Sequence, residues 1–499
     1  MEEGQVTPGS LRSRTATGRL PVRRPIQCLV VPGPPLDAAT LPVVGELGTR
    51  FAARGHELAL VGGSVRDRLQ AGVGTDPDLD FATSARPDAI EDCLSGWADA
   101  TWDVGRAFGT IGARKGPWTL EITTYRSDSY DRDSRKPDVA FGDSLLGDLA
   151  RRDFTVNAMA VTLPEGRFVD PYGGRRDLAA RVLRTPGRPE DSFDDDPLRM
   201  LRAARFTAQL GLDVAPEVEV AITAMAGRID IVSAERVRDE LVKLVLSPRP
   251  RRGLALLVET GLAERVLPEL PALRLERDEH HRHKDVYEHS LTVLEQAMEL
   301  EGRLGGGPDL VVRFAALMHD VGKPRTRRFG PDGTVTFHHH DVVGAKLTRK
   351  RMQALRFPGT VTDDVAKLVE LHLRFHGYGS GEWTDSAVRR YVRDAGPLLE
   401  RLHVVTRADC TTRNQRKAER LRRTYDHLEE RITELQAHEE LASIRPDLDG
   451  NQIMEILGLP PGPLVGAAYR HLLELRMEHG PLGAERARAE LIAWWSTRG

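Results

Sequence analysis

The spacing of apolar residues in this 499-residue chain changes at about Pro189, from mixed strand and helix spacing to helical spacing alone. That change limits the folds that the chain can adopt. Before this point strand-like runs alternate with helical ones. Residues 57–63 form an apolar run that ends in Gly-Gly, residues 119–126 alternate apolar and polar side chains, and residues 166–174 close in a Pro/Gly turn. After this point the spacing is helical throughout. The sequence therefore predicts an α+β fold class, with a mixed head of strands and helices followed by an all-helical body.

The helical pattern of the body is regular enough to place individual helices. It begins at residues 196–212, where apolar and arginine positions both recur at helical spacing. Further helices are predicted near residues 234–246, 251–266, 286–301, 308–321, 341–355, 361–374, 384–396 and 411–440. Residues 445–499 form a short tail punctuated by Pro and Gly.

Composition excludes several classes of protein. Lys and Arg number 71 against 74 Asp and Glu, so no general basic field marks a nucleic-acid binder, although 62 of the 71 are Arg, which suits phosphate. Three scattered cysteines exclude a disulfide framework and a cysteine-ligated zinc module. No apolar run approaches the ~18 residues of a membrane span, and residues 1–36 lack the pattern of a signal peptide. The chain is expected to be cytoplasmic, without a membrane partner.

A glycine turn in the head predicts a site for an anion. Gly62 and Gly63 end a strand, and a helix begins at about Ser64. Glycine lets the backbone approach a ligand closely, and a helix N-terminus offers free N–H groups. Arg66 lies in the first helical turn, where a cation is disfavoured unless it meets an anion.

Two carboxylates follow this helix. Asp78 and Asp80 share one face of a predicted strand, while Asp76 falls in the turn before Pro77. Carboxylates held together repel each other unless a cation lies between them, and paired Asp oxygens are typical Mg²⁺ ligands. The alternative is a solvated Asp-rich turn, but the glycine turn upstream favours a metal site.

Three further head residues have two interpretations each. Arg151 and Arg152, beside Asp153, form either a surface ion pair of little energetic value or a grip on a triphosphate. Glu121, on the strand of residues 119–126, is either a third carboxylate of the metal site or an ordinary solvent-facing side chain.

The motifs, taken in order, resemble those of class II tRNA nucleotidyltransferases, which include CCA-adding enzymes and bacterial poly(A) polymerases of the polymerase-β-like superfamily. The matching segments are GGSVRD at 62–67, DLD at 78–80, RRDFTVNA at 151–158, DPYGGRRDL at 170–178 and DDPLRMLRAARF at 195–206. The resemblance implies that Asp78 and Asp80 are catalytic and hold two Mg²⁺ ions. It also implies that the nucleotide is bound by Gly63, Arg66, Arg152 and Asp153.

The family selects the incoming base with the pattern Glu-Asp-x-x-Arg, and here Asp195 replaces the Glu. The resemblance therefore assigns base reading to Asp196 and Arg199, with Arg202 and Arg205 nearby for phosphate or base. A carboxylate accepts from an exocyclic amino group and a guanidinium donates to ring acceptors, which suits C and A. The same residues also fit an Asp N-cap, Pro197 at the first helical position and an Arg-rich amphipathic helix.

A second group of histidines and aspartates lies in the body. His289, the pair His319-Asp320, the run His338–His340, then His372 and His376, and finally Asp409 follow one another along the chain. Their order resembles that of the HD-domain metal-dependent phosphohydrolases. The resemblance implies metal ligation by His289, His319, Asp320 and Asp409, with His340 and His372 as additional ligands. The ion is left open among Mn²⁺, Ni²⁺, Fe²⁺ and Mg²⁺, and a degenerate HD scaffold that only binds tRNA is the alternative.

These resemblances imply a domain order and a reaction. The domains are a disordered basic extension (1–36), a nucleotidyltransferase head (37–185), a helical neck (186–275), an HD domain (276–415) and a C-terminal tRNA-binding region (416–499). The implied reaction is template-independent addition of C, C and A to the acceptor end of tRNA from CTP and ATP. The RNA 3′-hydroxyl attacks in line at two Mg²⁺ ions, and pyrophosphate is released.

Three alternatives to that function stay open. The first is a poly(A) polymerase or an enzyme that adds only A, the second is a phosphohydrolase with an inactive head, and the third is a protein that only binds RNA. An active HD site is expected to hydrolyse phosphomonoesters or 2′,3′-cyclic phosphates. The basic segment 413–423 either follows the tRNA backbone or is a solvated helix face.

Overall fold

The computed structural model describes most of the chain from Thr40 onward. The described ranges are 40–71, 78–129, 138–141, 144–274, 286–331, 334–375, 383–410, 415–438 and 444–498. The predicted N-terminal extension, Asp76, His376 and Arg413 lie outside these residues. The described residues fall into two compact units, one up to Ser129 together with Val139–Leu178, and the other from Ala179 onward.

The head unit contains a seven-stranded mixed sheet. Its strands are β1 (Leu58–Val61), β2 (Asp78–Thr83), β3 (Ala100–Trp102), β4 (Thr110–Lys115), β5 (Trp118–Thr124), β8 (Ala160–Leu163) and β9 (Phe168–Val169). They lie in the order β3-β4-β5-β2-β1-β8-β9. Only β2 and β5 pair in parallel, and the other pairs are antiparallel. β6 (Arg126–Ser129) and β7 (Asp138–Phe141) form a separate ribbon.

Helices accompany this sheet in the head. They are α1 (Thr40–Ala52), α2 (Gly63–Ala71), α3 (Pro87–Leu94), α4 (Leu145–Ala150) and α5 (Gly174–Ala179). All four residues of β1 are buried, which explains why this strand is apolar without alternation. Buried side chains from β1, β2, β8 and α4 meet in one cluster with Tyr125. The end of β1 that leads into α2 is therefore packed in the core of the head.

The second unit is helical. Its helices are α6 (Pro189–Asp195), α7 (Leu198–Leu210), α8 (Pro216–Met225), α9 (Ala234–Val245), α10 (Pro250–Glu259), α11 (Ala263–Val266), α12 (Val286–Leu300), α13 (Leu310–Met318), α14 (Lys323–Thr326), α15 (His340–Ala354), α16 (Gly359–Leu371), α17 (Asp385–Ala395), α18 (Leu399–Asp409), α19 (Gln415–His438), α20 (Gly450–Leu457), α21 (Pro463–His479) and α22 (Ala484–Ser496). No helix among the described residues is long and apolar enough to cross a membrane.

The structure departs from the predicted elements in a few places. The body also contains two-residue strands, which pair as β10 (Val182–Leu183) with β11 (Asp213–Val214) and β12 (Arg328–Phe329) with β13 (Val335–Thr336). The predicted helix 251–266 is two helices, α10 and α11, because Gly261 between them has a left-handed φ of +76°. The predicted strand at 166–174 is reduced to β9, since Asp170 accepts from the backbone N–H groups of Gly174 and Arg175.

One buried guanidinium joins the end of α9 to the start of α13. Arg313 donates to the carbonyl oxygens of Val245 and Ser247, both at 2.9 Å, and to the two carboxylate oxygens of Glu301, both at 2.8 Å. Arg313 and Glu301 are 4% and 6% exposed. Because a buried charge is costly unless it is fully paired, this set of bonds holds the two helices in one arrangement.

Two helical glycines in the body differ in what surrounds them, which gives a matched test of the packing. A Cβ on Gly253 of α10 would lie 2.5 Å from the oxygen of Ala204 and 3.0 Å from the Cβ of Ala208, whereas a Cβ on Gly466 of α21 meets only the tip of Arg470 at 3.8 Å. We expect Gly253→Ala to destabilise the body by about 1–3 kcal/mol through overpacking. Gly466→Ala is expected to stabilise it by up to about 1 kcal/mol. Thermal unfolding followed by circular dichroism measures both, and equal transition midpoints for the two variants would contradict the packing of α7 against α10.

Candidate active site and candidate metal centre

The strand β2 presents two carboxylates on one face. Asp78 and Asp80 are exposed, while Leu79 and Phe81 are buried, as the predicted alternation requires. The register of β2 with β5 places Glu121 directly beside Asp80. Because residues paired in a parallel ladder project to the same side, Glu121 stands on the face that carries the two aspartates.

Ser64 attaches the carboxylate-bearing strand to the glycine turn. Its hydroxyl accepts from the backbone N–H of Asp80 at 3.0 Å and donates to the carbonyl of Asp78 at 3.4 Å. Ser64 is the second residue of α2, so the start of the helix and the strand are fixed together. The sequence identified Ser64 only as a helix start, because the bond spans residues distant along the chain.

Gly62 allows a guanidinium to approach the backbone. Its φ is +68°, and a Cβ there would lie 2.8 Å from Nη1 of Arg152. Arg152 donates to Oδ2 of Asp148 through Nε and Nη2 at 3.2 and 3.1 Å, while Arg151 donates to Oδ1 at 2.9 Å. Burial alone raises the pKa of Asp148, yet the guanidinium groups of Arg152 and Arg151 hold that pKa below its usual value. Asp148 therefore orients both arginines.

Arg66 is held by a buried network on the other side of the turn. Its Nε and Nη2 donate to the two carboxylate oxygens of Asp67 at 2.7 and 2.9 Å, and its Nη1 donates to Asn157. The amide of Asn157 in turn donates to Asp153 at 2.9 Å. Asp153 also accepts from the backbone N–H of Phe154. Asp153 thus supports the amide that orients Arg66.

A cavity of about 170 Å³ opens over this face of the sheet. Its lining includes the carboxylates of Asp80 and Glu121 and the guanidinium groups of Arg126, Arg151 and Arg152. Carboxylates suit a hard divalent cation, and guanidinium groups suit phosphate oxygens. The donor set therefore fits Mg²⁺ held by Asp78 and Asp80 together with a triphosphate.

The predicted base-reading residues lie in the helical unit at the start of α7. Oδ1 of Asp196 accepts from the N–H of Leu198 at 3.2 Å, as a capping residue does, although the helix begins after Pro197. Its other oxygen accepts from Arg236 at 3.0 Å. Arg199 is buried and donates to the hydroxyl of Ser192 at 2.8 Å. Both side chains are therefore fixed in place by neighbours in the same unit.

Arg205 has a structural partner that the sequence did not reveal. Its Nε donates to Glu240 of α9 at 2.6 Å, its Nη1 donates to Gln209 at 2.9 Å, and its guanidinium lies 4.0 Å from the centre of the Phe206 ring. Arg202 is more exposed and lies 3.8 Å from Glu240. The nucleotide-binding assignment of Arg202 and Arg205 stays a prediction, and the geometry favours a packing role for Arg205.

The second group of sequence-predicted ligands converges from the ends of several helices. His289 lies on α12, His319 and Asp320 follow the last residue of α13, and His340 begins α15. His372 follows α16 and Asp409 is the last residue of α18. The C-terminal end of a helix carries partial negative charge, so the ends of α13, α16 and α18 favour a cation between them.

Two groups of three ligand atoms form here. One contains His289, His319 and Asp409, the other contains Asp320, His340 and His372, and within each group the ligand atoms lie within 4.8 Å of one another. The carboxylate of Asp320 also lies 3.2 Å from Nε2 of His319 and 3.3 Å from Nε2 of His340. Asp320 therefore touches both groups, which suits a carboxylate that serves two adjoining cations.

The tautomers of three histidines are set by the backbone. Nδ1 of His319, His340 and His372 lies 2.7–2.8 Å from the carbonyl oxygens of Ala316, Phe337 and Val369, each three residues earlier in the chain. Their Nε2 atoms are buried. That of His372 has no hydrogen-bond partner, while those of His319 and His340 face the carboxylate of Asp320 at 3.2 and 3.3 Å. An unsatisfied buried nitrogen is costly, and this arrangement is the usual one for a metal-binding histidine. The donor set thus fits a divalent cation.

The charges around these histidines differ. Burial lowers the pKa of His372 to about 4, and His319 nearby adds to that effect. Burial also acts to lower the pKa of His319, but the carboxylates of Asp320 and Asp409 outweigh it and raise that pKa to about 9. His372 is therefore neutral at pH 7, whereas His319 is protonated and would have to release a proton before it could bind a cation.

The structure brings together all six predicted HD ligands and leaves out two other histidines. His338 and His339 are exposed, and His339 adopts a left-handed φ of +61° as the cap of α15. Lys323, which sequence reasoning passed over, donates to Asp320 at 2.6 Å. The signal for it was its position three residues after Asp320 in the Gly-Lys turn.

Comparison with known families assigns three segments of the chain. Residues 58–184 match the poly(A) polymerase head domain, residues 211–273 match the probable RNA and SrmB-binding site of polymerase A, and residues 286–414 match the HD domain. These segments follow the order expected from the motifs.

Three known proteins are similar to this chain over most of their own length. The A-adding tRNA nucleotidyltransferase of Deinococcus radiodurans is 37% identical over 445 residues, covering 87% of this chain and 95% of its own. The multifunctional CCA protein of Neisseria gonorrhoeae is 33% identical and covers 64% of this chain and 74% of its own. The Bacillus stearothermophilus CCA-adding enzyme in complex with CTP aligns with a TM-score of 0.63 and 26% identity, covering 93% of this chain and 99% of its own.

The His338–His340 run allows a sharp test of the metal centre. We expect His340→Ala and His372→Ala to weaken divalent-cation binding at least tenfold, because each removes a buried Nε2 aimed into the group. His338→Ala is the matched control, since its exposed side chain belongs to neither group. Mn²⁺ retained after gel filtration is counted by mass spectrometry. Equal retention by the control and the two variants would show that these histidines hold no metal.

Proposed function

The chain belongs to the family of tRNA nucleotidyltransferases that carry a poly(A) polymerase head domain, and from this membership we propose that it adds C, C and A to the 3′ end of tRNA. CTP and ATP are the nucleotide substrates, and the acceptor end of tRNA is the partner. The observation that supports this most is the pair Asp78 and Asp80 on one exposed strand face beside Arg152. A cytoplasmic location follows from these substrates.

The chain's own residues position the reactants. Asp78 and Asp80 are the residues to hold Mg²⁺, which when bound activates the 3′-hydroxyl and offsets charge on the leaving pyrophosphate. Arg152, oriented by Asp148, and Arg66, oriented by Asp67 and Asn157, supply donors for the triphosphate. The oxygen of the RNA 3′ end forms a bond to the α-phosphorus as the bond to pyrophosphate breaks.

Base choice is assigned to Asp196 and Arg199. A carboxylate that accepts and a guanidinium that donates together match the Watson–Crick edge of C or A. Asp196 is held by Arg236, and Arg199 by Ser192, so both are preorganised within the neck. Preorganised groups lose less conformational entropy when a nucleotide binds.

A second candidate function within the family is addition of the terminal A alone. It is favoured by the relative from Deinococcus radiodurans, which is an A-adding enzyme and aligns over 95% of its own length. The two functions share the head chemistry and differ in which tRNA ends they extend.

We further propose that the HD residues hold a divalent cation and hydrolyse phosphate esters at damaged RNA ends. The support is the convergence of three buried Nε2 atoms on Asp320 and on one another, with that of His372 unpartnered. A bound cation there activates water. Water adds to phosphorus, the bond to the ribose oxygen breaks, and that oxygen leaves as a hydroxyl with a proton from the water. Mn²⁺, Ni²⁺, Fe²⁺ and Mg²⁺ all accept such histidine and carboxylate ligands.

Nucleotide addition is tested with Mg²⁺ and three tRNAs, which lack all of CCA, lack the final CA, or lack only the final A. With CTP and ATP present, we expect tRNA that lacks all three terminal nucleotides to gain C, C and A and then stop. Asp80→Asn is expected to lower the rate at least a thousandfold, on the order of 4 kcal/mol of transition-state stabilisation. The exposed Asp92→Asn is the control and is expected to behave as wild type.

Each other product pattern identifies a different enzyme. Extension only of tRNA ending in CC, by one A, would establish the A-adding function. A long ladder of A would make the protein a poly(A) polymerase, and full activity of Asp80→Asn would refute the assignment of the metal site.

The HD activity is tested on tRNA that ends in a 2′,3′-cyclic phosphate or a 3′-phosphate. After chelation and readdition of Mn²⁺ or Ni²⁺, we expect hydrolysis by wild type and Asp80→Asn, and at least a hundredfold loss in Asp320→Asn, because Asp320 contacts both ligand groups. Asp363→Asn, an exposed residue of α16, is the control. Absence of turnover with every ion would leave the HD fold as a scaffold.

A further inference from the structure

We infer that the β12–β13 hairpin is an RNA-binding surface that makes the HD site selective for the phosphorylated end of an RNA strand over a free nucleotide. The surface consists of Arg328 and Phe329 of β12 together with Arg325 and Arg327, which lie just before this strand. The inference rests on the proposed phosphatase function of the HD residues, and it adds the polymer to which the phosphate is attached.

The hairpin lies in the segment of chain between two of the predicted metal ligands, Asp320 and His340. Asp320 precedes it, α14 and β12 lead outward, and β13 returns the chain to His340. At its base Nζ of Lys323 lies 2.6 Å from Asp320 and 5.7 Å from the centre of the Phe337 ring. A ligand that lies along the hairpin therefore reaches the ligand groups at its base.

Gly322 fixes the base of the hairpin. A Cβ there would lie 2.0 Å from the carbonyl oxygen of His340 and 2.7 Å from the N atom of Gly344. The chain can pass this point only without a side chain, so the start of α14 is packed directly on the start of α15. The position of the hairpin relative to His340 is thus set by backbone contact.

The hairpin cations lack the acidic partners that are common elsewhere in the body. Within the described ranges no ion pair joins Arg325, Arg327 or Arg328 to a carboxylate, and Nε of Arg327 is buried without an acceptor. In contrast, exposed arginines on α15 and α17 are paired, namely Arg349 with Asp363, Arg390 with Glu474 and Glu478, and Arg393 with Asp394. Unpaired guanidinium groups in a cluster suit successive phosphates of a nucleic-acid backbone.

Phe329 supplies an aromatic face within the same cluster. It is 67% exposed, and the guanidinium of Arg327 lies 4.7 Å from the ring centre. An aromatic ring held by a cation and open to solvent suits stacking of an unpaired base. Several cations and an exposed ring suit a single strand of RNA. A mononucleotide has one phosphate, which would lie at the cation held by the HD residues, and would leave this surface unused.

The test compares two triple variants of equal charge. Arg325→Gln, Arg327→Gln and Arg328→Gln are combined in the hairpin variant, and Arg349→Gln, Arg390→Gln and Arg393→Gln in the control. Hydrolysis is measured on 3′-phosphorylated tRNA and on a 2′,3′-cyclic mononucleotide with Mn²⁺. We expect the hairpin variant to lose at least tenfold in kcat/KM on tRNA and less than twofold on the mononucleotide. Phe329→Ala is expected to lose about tenfold on tRNA alone. The control is expected to match wild type on both substrates.

Each contrary result has a defined meaning. Equal losses on tRNA and on the mononucleotide, or equal behaviour of the hairpin and control variants, would overturn the inference. If wild type hydrolyses neither substrate, the proposed phosphatase function fails. Crosslinking then decides the surface, because a photoreactive residue at position 329 must capture the 3′ end of tRNA if the hairpin binds RNA, and its failure to do so would refute the inference.

Discussion

Like charges held on one face of a strand repel each other, and the head is arranged so that Asp78 and Asp80 cannot move apart. Ser64 bonds to the backbone of both residues, which prevents the strand from turning one carboxylate away. The glycine turn then brings Arg152 close to the same strand. The proposed Mg²⁺ and nucleotide would bind where these carboxylates and the guanidinium of Arg152 are held together.

In the helical unit the predicted metal ligands are positioned mainly by the backbone of the helices that carry them. Its predicted ligands His319, His372 and Asp409 lie at the C-terminal ends of helices, where the backbone contributes partial negative charge. Three backbone carbonyls orient the histidine rings, so most of the positioning comes from the regular helix geometry itself. This explains why the group contains few charged residues besides Asp320, Asp409 and Lys323.

Local patterns in the sequence predicted the carboxylate strand, the glycine turn and most helices, because alternation and helical spacing depend on neighbours. The order of histidines and aspartates predicted the ligands through family resemblance. Features that depend on distant residues were missed. Glu240, which holds Arg205, is 35 residues away, and α18 follows a Gly-Pro break that concealed its start. Asp148 and Arg152 are four residues apart, like many ion pairs on exposed helices. In the sequence nothing shows that the Asp148 side chain is buried, which is what distinguishes this pair from a surface pair.

The bonds of Arg313 have a consequence for how the chain can be divided. The helix α9, which carries the partners of Asp196 and Arg205, is joined by a buried guanidinium to α13, and His319 and Asp320 directly follow α13. The matched family segments end at residue 273 and begin again at residue 286. A fragment that starts between them would contain the Arg313 guanidinium but not its carbonyl acceptors on Val245 and Ser247. For truncation, recombination or domain grafting, α9 and α13 should therefore be kept in the same fragment.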